Sequence, residues 1–270
     1  EGDVKRCEQM IKASADVGVD AVKLQTIDAD ANYVKGSESY KVFKGAELSV
    51  DETKRMFELA RSFGVEIFTT VGDFDTLNWV NELDPCAWKI SSGLITHLPL
   101  IEKIALTKKP VILSTGMATY SEIKESVKVL RNNGCKNLII LKCTSSYPCD
   151  AKDVNLATIP VLRNKFKCEV GLSDHTNNIY SSIASSSLGI SVIEGNFTPY
   201  DVYNADEAFT TATSYEIQPV CSLDGIKIGD KIPGPITSKL IKSLSKKVGV
   251  DIIEQAMSHL NKEERSNIDG

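Results

Sequence analysis

The chain lacks the features that define several broad classes. No run of about 18 apolar residues occurs, which excludes a membrane-spanning helix. No basic stripe occurs either. Lys and Arg number 31 against 36 Asp and Glu, a net charge of −5, so no nucleic-acid footprint is expected. No charged-then-apolar segment of the secretory type opens the sequence at Glu1. Histidine is scarce, with three residues in 270. The seven cysteines are Cys7, Cys86, Cys135, Cys143, Cys149, Cys168 and Cys221, and no two are spaced C-x-x-C. Zinc ribbons and thioredoxin-type motifs are therefore not expected. An odd number of thiols reads as buried free cysteines in a reducing compartment, the cytoplasm.

What is present is an ordinary globular composition, 42% hydrophobic and 25% charged. Short β-branched runs alternate with longer amphipathic ones. Strands are expected at 20–25, 65–70, 87–91, 110–114, 137–143, 168–172 and 190–194. Each is apolar with little alternation, as in parallel strands covered on both faces. Helical patterns fall at 3–16, 51–62, 98–106, 121–132, 155–165 and 179–188, with Gly64 and Gly134 as stop signals. The order is one helix and then repeated βα units. It predicts an α/β fold, a (β/α)8 TIM barrel whose first strand lies upstream of Glu1. A doubly wound open sheet is the alternative. It is disfavoured because no G-x-G-x-x-G follows a strand. The barrel is expected over 1–217, a C-terminal helical extension over 218–270, and a long polar loop of the lid type over 28–49.

In such a barrel the chemistry sits where strands end. The residues there are polar: Lys23 and Gln25, Thr70, Lys89 and Ser92, Ser114, Lys142 and Ser145, Ser173, Asp174 and His175, and Glu194. Three lysines, Lys23, Lys89 and Lys142, are expected to point to one mouth. Buried lysines are rare unless paired, so an anionic substrate with a phosphate or carboxylate would sit between them, met by hydroxyl and amide donors. The plainer alternative pairs each lysine with an acid such as Asp174 or Glu194. A Schiff-base lysine of the aldolase type also stays open. His175 is either a metal ligand or acid/base group, or a hydrogen-bonded structural residue. His97 and His259 read as structural.

Five segments carry a family resemblance: Asp20-Ala-Val-Lys-Leu-Gln25, Trp88-Lys-Ile-Ser-Ser-Gly93, Lys109-Pro-Val-Ile-Leu-Ser-Thr-Gly-Met117, Cys143-Thr-Ser-Ser-Tyr-Pro148 and Gly171-Leu-Ser-Asp-His-Thr176. In order and spacing they resemble the N-acetylneuraminate (sialic acid) synthase family, which includes the legionaminic and pseudaminic acid synthases. The resemblance implies condensation of phosphoenolpyruvate with an open-chain N-acetylmannosamine-type aldose, giving a nine-carbon 2-keto acid and phosphate. It implies that Lys23, Lys89, Thr70, Ser92, Ser114 and Ser173 hold phosphoenolpyruvate, with Gln25 beside them. Ser145 stands where many relatives have a substrate-contacting Asn. It further implies a divalent metal, manganese or magnesium, that polarises the aldehyde, with His175 as one ligand.

The departures from the family pattern bear on that metal. The family's E-x-H-F-T reads Glu194-Gly-Asn-Phe-Thr198 here, so Asn196 takes the place of the second metal His. An amide oxygen is a poorer manganese ligand than imidazole, and weak metal binding is expected. The family's G-x-D-H reads Asn204-Ala-Asp-Glu207. Asp206 is retained as a candidate catalytic residue, and Glu207 or Asp201 could restore a ligand. The strand carrying the family's catalytic Glu would precede Glu1. The family's antifreeze-like domain, which completes a homodimeric site, has no recognisable counterpart. Two readings follow: an active synthase, or a degenerate homologue that binds an anionic phosphosugar or a protein partner.

Overall fold

The computed structural model describes residues 2–177, 180–195, 208–212, 216–220, 222–223, 226–227 and 238. The chain divides into two compact units, residues 1–196 and 197–270.

The first unit holds a seven-stranded, all-parallel sheet in the order β1-β2-β3-β4-β5-β6-β7. Its strands are β1 (Ala21–Thr26), β2 (Glu66–Val71), β3 (Trp88–Ile90), β4 (Val111–Ser114), β5 (Leu138–Cys143), β6 (Glu169–Asp174) and β7 (Val192–Gly195). Parallel neighbours need crossovers, and helices supply them. The helices are α1 (Val4–Asp16), α2 (Ala29–Asn32), α3 (Glu38–Ala46), α4 (Val50–Ser62), α5 (Phe74–Glu82), α6 (Leu98–Leu106), α7 (Tyr120–Asn132), α8 (Thr158–Phe166) and α9 (Tyr180–Ser186). Sequential strands pair in sequence order and the sheet curls, which is the TIM-barrel-like arrangement expected.

Local chemistry starts and stops the helices. Ser49 with Glu52, and Thr119 with Glu122, form reciprocal capping boxes on α4 and α7. Each such cap stabilises its helix by about 1 kcal/mol. Gly64 and Gly134 follow those helices with φ of +74° and +92°, a left-handed turn that a side chain would resist. The core is continuous between sheet and helices, from Met56 and Phe57 through Trp88, Ile104 and Leu113 to Leu130 and Ile140. Trp88 is wholly buried, and its indole N–H donates to Thr107 Oγ1 at 3.0 Å. Inside the sheet, Gly171 leaves no room for a Cβ, which would meet Leu141 Cδ2 at 2.6 Å and the carbonyl oxygen of Val192.

The expected loop over 28–49 is instead largely helical. Asp28 and Ser37 cap α2 and α3 through their side chains. Tyr33 and Phe43 stack with ring centroids 4.6 Å apart. Asp30 pairs with Lys35 at 3.1 Å and with Lys44 at 2.8 Å. The sequence pattern also missed α5, which Asp73 caps by accepting from Thr76 N–H at 2.8 Å. Asp73 holds the insert as well, accepting from Asn32 Nδ2 at 3.1 Å.

In the second unit, β8 (Ala208–Ala212) pairs antiparallel with β9 (Glu216–Val220), and β10 (Ser222–Leu223) pairs with β11 (Ile226–Lys227). Ser238 is helical. Within the expected helical extension, residues 218–220, 222–223 and 226–227 are strand instead. Apart from Ser238, its other residues, His259 included, lie outside the described residues. Among the described residues no helix is long and apolar enough to cross a membrane.

Candidate active site

Strand period fixes which side chains face inward, because registered neighbours in a sheet share a face. Gln25 is opposite Thr70, and Thr70 opposite Lys89. Cys143 is opposite Ser173, and Ser173 opposite Glu194. Counting by twos adds Lys23 to the first row, and Ser114, opposite Leu141, to the face of Cys143. The curl of the sheet then brings its two ends together. Glu194 Oε1 lies 3.5 Å from Lys23 Nζ, and Oε2 lies 3.4 Å from Lys89 Nζ.

This trio dominates the local electrostatics. Lys89 is only 4% exposed. Burial pushes its ammonium down from the usual lysine range, while Glu194 opposes the shift. For Glu194 burial works to raise the carboxyl, but Lys89 and Lys23 outweigh it, and the group stays below its ordinary value with help from the Ser173 hydroxyl. Within this trio, two ammoniums face one carboxylate.

Hydroxyls surround the charged centre. Ser173 Oγ lies 3.3 Å from His175 Nε2. The His175 ring packs under Tyr147 with centroids 4.3 Å apart. Burial lowers the His175 pKa, favouring the neutral imidazole. Ser92 Oγ accepts from the Gly116 N–H at 2.9 Å. Gly116 has no room for a side chain, since a Cβ there would sit 2.6 Å from Ser145 Oγ and 2.9 Å from Cys143 Sγ. Ser92, Cys143 and Ser145 thus gather around one backbone amide. Thr70 is buried and Gln25 exposed at the end of β1. The Ser114 hydroxyl is buried and has no hydrogen-bond partner among the described residues. Such a group carries a desolvation cost that a ligand oxygen would relieve.

Two expectations are corrected. Lys142 does not join the other lysines. It is opposite Leu172, one residue out of phase with Cys143, and so on the other face of the sheet. Its ammonium donates to the Cys143 carbonyl at 3.0 Å and to Thr144 Oγ1 at 2.6 Å. Thr144 in turn donates to the Asp153 carbonyl at 3.1 Å, so Lys142 anchors the loop after β5. Among the described residues Asp174 pairs with no lysine. It accepts from Thr176 N–H at 3.0 Å and from the Ser182 hydroxyl at 2.7 Å, which pins the turn bearing His175. His97, as expected, is structural: its Nδ1 accepts from Leu100 N–H and caps α6.

Metal binding is served in part. Among the described residues His175 Nδ1 is buried without a hydrogen-bond partner, which suits a ligand. Among the described residues, however, no group of three or more His, Cys, Asp and Glu is placed to hold a metal ion. Asn196, Asp201, Asp206 and Glu207 lie outside the described residues. One imidazole is not a coordination set. The plainer alternative, pairing with an acid such as Glu194, holds for Lys23 and Lys89; what sequence reasoning did not single out is that one carboxylate bridges both. Its signal was present, as the acid at the end of the last strand.

A model of the NeuB family matches residues 10–222. The chain belongs to the NeuB family. Its NeuB relatives include the N,N'-diacetyllegionaminic acid synthase of Campylobacter jejuni, 32% identical over 92% of this chain and 79% of that protein. An uncharacterised protein of Methanocaldococcus jannaschii is 43% identical over 73% of this chain. The chain spans 58% of the length of that archaeal relative. Among solved structures, the N-acetylneuraminic acid synthetase of Leptospira borgpetersenii, in complex with citrate, is 25% identical with a TM-score of 0.69. That match covers 99% of this chain and 86% of the other. A truncated 3-deoxy-D-arabino-heptulosonate 7-phosphate synthase of Thermotoga maritima shares the fold, with a TM-score of 0.60 at 17% identity.

Proposed function

We propose that this NeuB protein condenses phosphoenolpyruvate with an N-acetylmannosamine-type aldose, giving a nine-carbon 2-keto sugar acid and phosphate. The observation that carries the reading is the convergence of Lys23 and Lys89, from β1 and β3, on one carboxylate at the strand ends. Cations held there by the fold suit a ligand bearing both a phosphate and a carboxylate. In the proposal Lys23 and Lys89 neutralise that ligand. The Ser114 hydroxyl, unpartnered among the described residues, donates to its oxygens with Ser92, Ser173 and Thr70, and Gln25 and Ser145 line the acceptor side. The methylene carbon of phosphoenolpyruvate attacks the aldehyde carbon and forms the C–C bond. Water adds at the former enol carbon, and the bond from that carbon to the phosphate oxygen breaks.

A divalent metal, manganese or magnesium, belongs to the same proposal. When bound it supplies Lewis-acid polarisation of the aldehyde, with His175 and Asn196 as its holders and Asp206 as a catalytic partner. Free cysteines, three of them buried, fit a cytoplasmic setting. A homodimer is the assembly proposed. A second reading, anion binding without turnover, draws on Asn196 in place of a metal His.

The test is phosphate release by the full chain with phosphoenolpyruvate, manganese and a panel of N-acetylated aldoses, with the nine-carbon product confirmed by mass. Release with any aldose supports the synthase reading. Tight phosphoenolpyruvate binding without release supports the second. Borohydride trapping of a lysine adduct with a keto acid would replace both with Schiff-base chemistry.

A further inference from the structure

We propose that Glu194 is a resident counter-anion that holds Lys23 and Lys89 inward in the free protein and gives them up to the substrate anion, so that it weakens anion binding. The inference rests on the anion-binding part of the reading above, not on the acceptor sugar or on turnover.

Three observations carry it. A single carboxylate spans both ammoniums, one oxygen to each, at 3.5 and 3.4 Å. These distances are longer than a short charge-assisted hydrogen bond of about 2.7–2.9 Å, so the pairs are loose contacts that a better-placed anion can outcompete. The trio is poorly solvated: Lys89 is 4% exposed and the Glu194 side chain 19%. An unpaired ammonium there would be costly, which explains why an internal acid waits beside the lysines. Finally, the Ser114 hydroxyl, which has no hydrogen-bond partner among the described residues, lies on the same inward face as Glu194, so a donor for an external anion remains open while Glu194 occupies the cations.

The consequence is symmetrical in time. An arriving phosphate-bearing anion must pull at least one ammonium away from Glu194 and sit near its charge. When inorganic phosphate departs, Glu194 takes the lysines back. The residue therefore lowers affinity for both the incoming and the leaving anion. Glu194 acts through the lysines and is a positioning residue. A purely structural role would have the opposite sign, because disordered lysines bind anions less well.

The experiment is calorimetric titration of inorganic phosphate and of phosphoenolpyruvate into the wild-type protein, Glu194→Gln and Glu194→Asp. Glu194→Gln removes the charge and keeps the shape. The expected result is phosphate binding about tenfold tighter than in the wild type, about 1.4 kcal/mol. Glu194→Asp keeps the charge but cannot span both lysines, and should fall between the two. It carries the test alone if Glu194→Gln does not fold. Unchanged or weaker phosphate binding in the folded variants overturns the inference, even where phosphoenolpyruvate binds the wild type well and the proposed function stands. Tighter phosphate binding in Glu194→Gln, with no binding of phosphoenolpyruvate by any variant, upholds the inference and overturns phosphoenolpyruvate as the substrate. Binding of neither anion by any variant overturns both.

Discussion

The ammonium of Lys23 on β1 and the carboxylate of Glu194 on β7 lie 3.5 Å apart, although their strands are at opposite ends of the sheet order. Only a curled sheet brings its first and last strands that close. The pair is thus a direct reading of the curvature, and it locates the mouth toward which the other inward residues point.

Lys89→Ala should weaken binding of phosphoenolpyruvate and of inorganic phosphate by at least about tenfold, because Glu194 loses one of its two cations and its charge then opposes the ligand. Calorimetry checks this. An unchanged affinity would remove Lys89 from the anion site.

Lys142→Met should leave anion affinity within about twofold, a difference below about 0.5 kcal/mol. Its ammonium is held on the other face by the Cys143 carbonyl and Thr144 Oγ1. The effect should show instead as faster hydrogen exchange in the loop after β5. A loss of affinity like that of Lys89→Ala would contradict the face assignment.

Anion affinity should decline on the alkaline side at a lower pH than an ordinary lysine dictates. Burial sets the folded-state pKa of Lys89 below the lysine value. The ammonium is therefore lost, and binding with it, as pH rises through that lowered value. Titrations from neutral pH toward the ordinary lysine pKa would show the fall, and a profile flat to that point would refute it.

Ile140→Ala should destabilise the first unit by about 2–5 kcal/mol, since the side chain is fully buried in the sheet. Thr119→Ala should cost about 1 kcal/mol by breaking the α7 capping box. Neither residue touches the mouth, so anion affinity in the folded fraction should hold. Urea unfolding and calorimetry on the same samples separate the two effects.

Asn196→His should tighten manganese binding, because imidazole is a better donor than an amide oxygen for that ion. Water-proton relaxation by bound manganese measures it without reference to turnover. No change would place Asn196 away from the metal.

All seven strands were legible because each is a compact apolar run between helix signals, and their registers follow from burial on both faces. The inward or outward sense of a strand-end residue was harder to read. Lys142 and Cys143 are adjacent, and a strand turns consecutive side chains to opposite faces. A list of polar strand-end residues therefore mixes two environments unless the count by twos is kept. The helix α5 was missed because only Leu77 and Val80, with Thr76, bury its inner face, too few for an amphipathic stripe to stand out. The 28–49 insert read as loop because its helices are short and polar, and their order comes from side-chain caps and charge pairs. The Glu194 bridge needed the curl of the sheet, which no local pattern encodes.

The Asp30 cluster gives the insert an unusual environmental profile. Its carboxyl is held at about 2, by Lys44 first and Lys35 next, so mild acid leaves it ionised and still bound to both partners. Yet the cluster is open to solvent, where dissolved ions screen such contacts. Brine, and not vinegar, is the condition that loosens this part of the molecule.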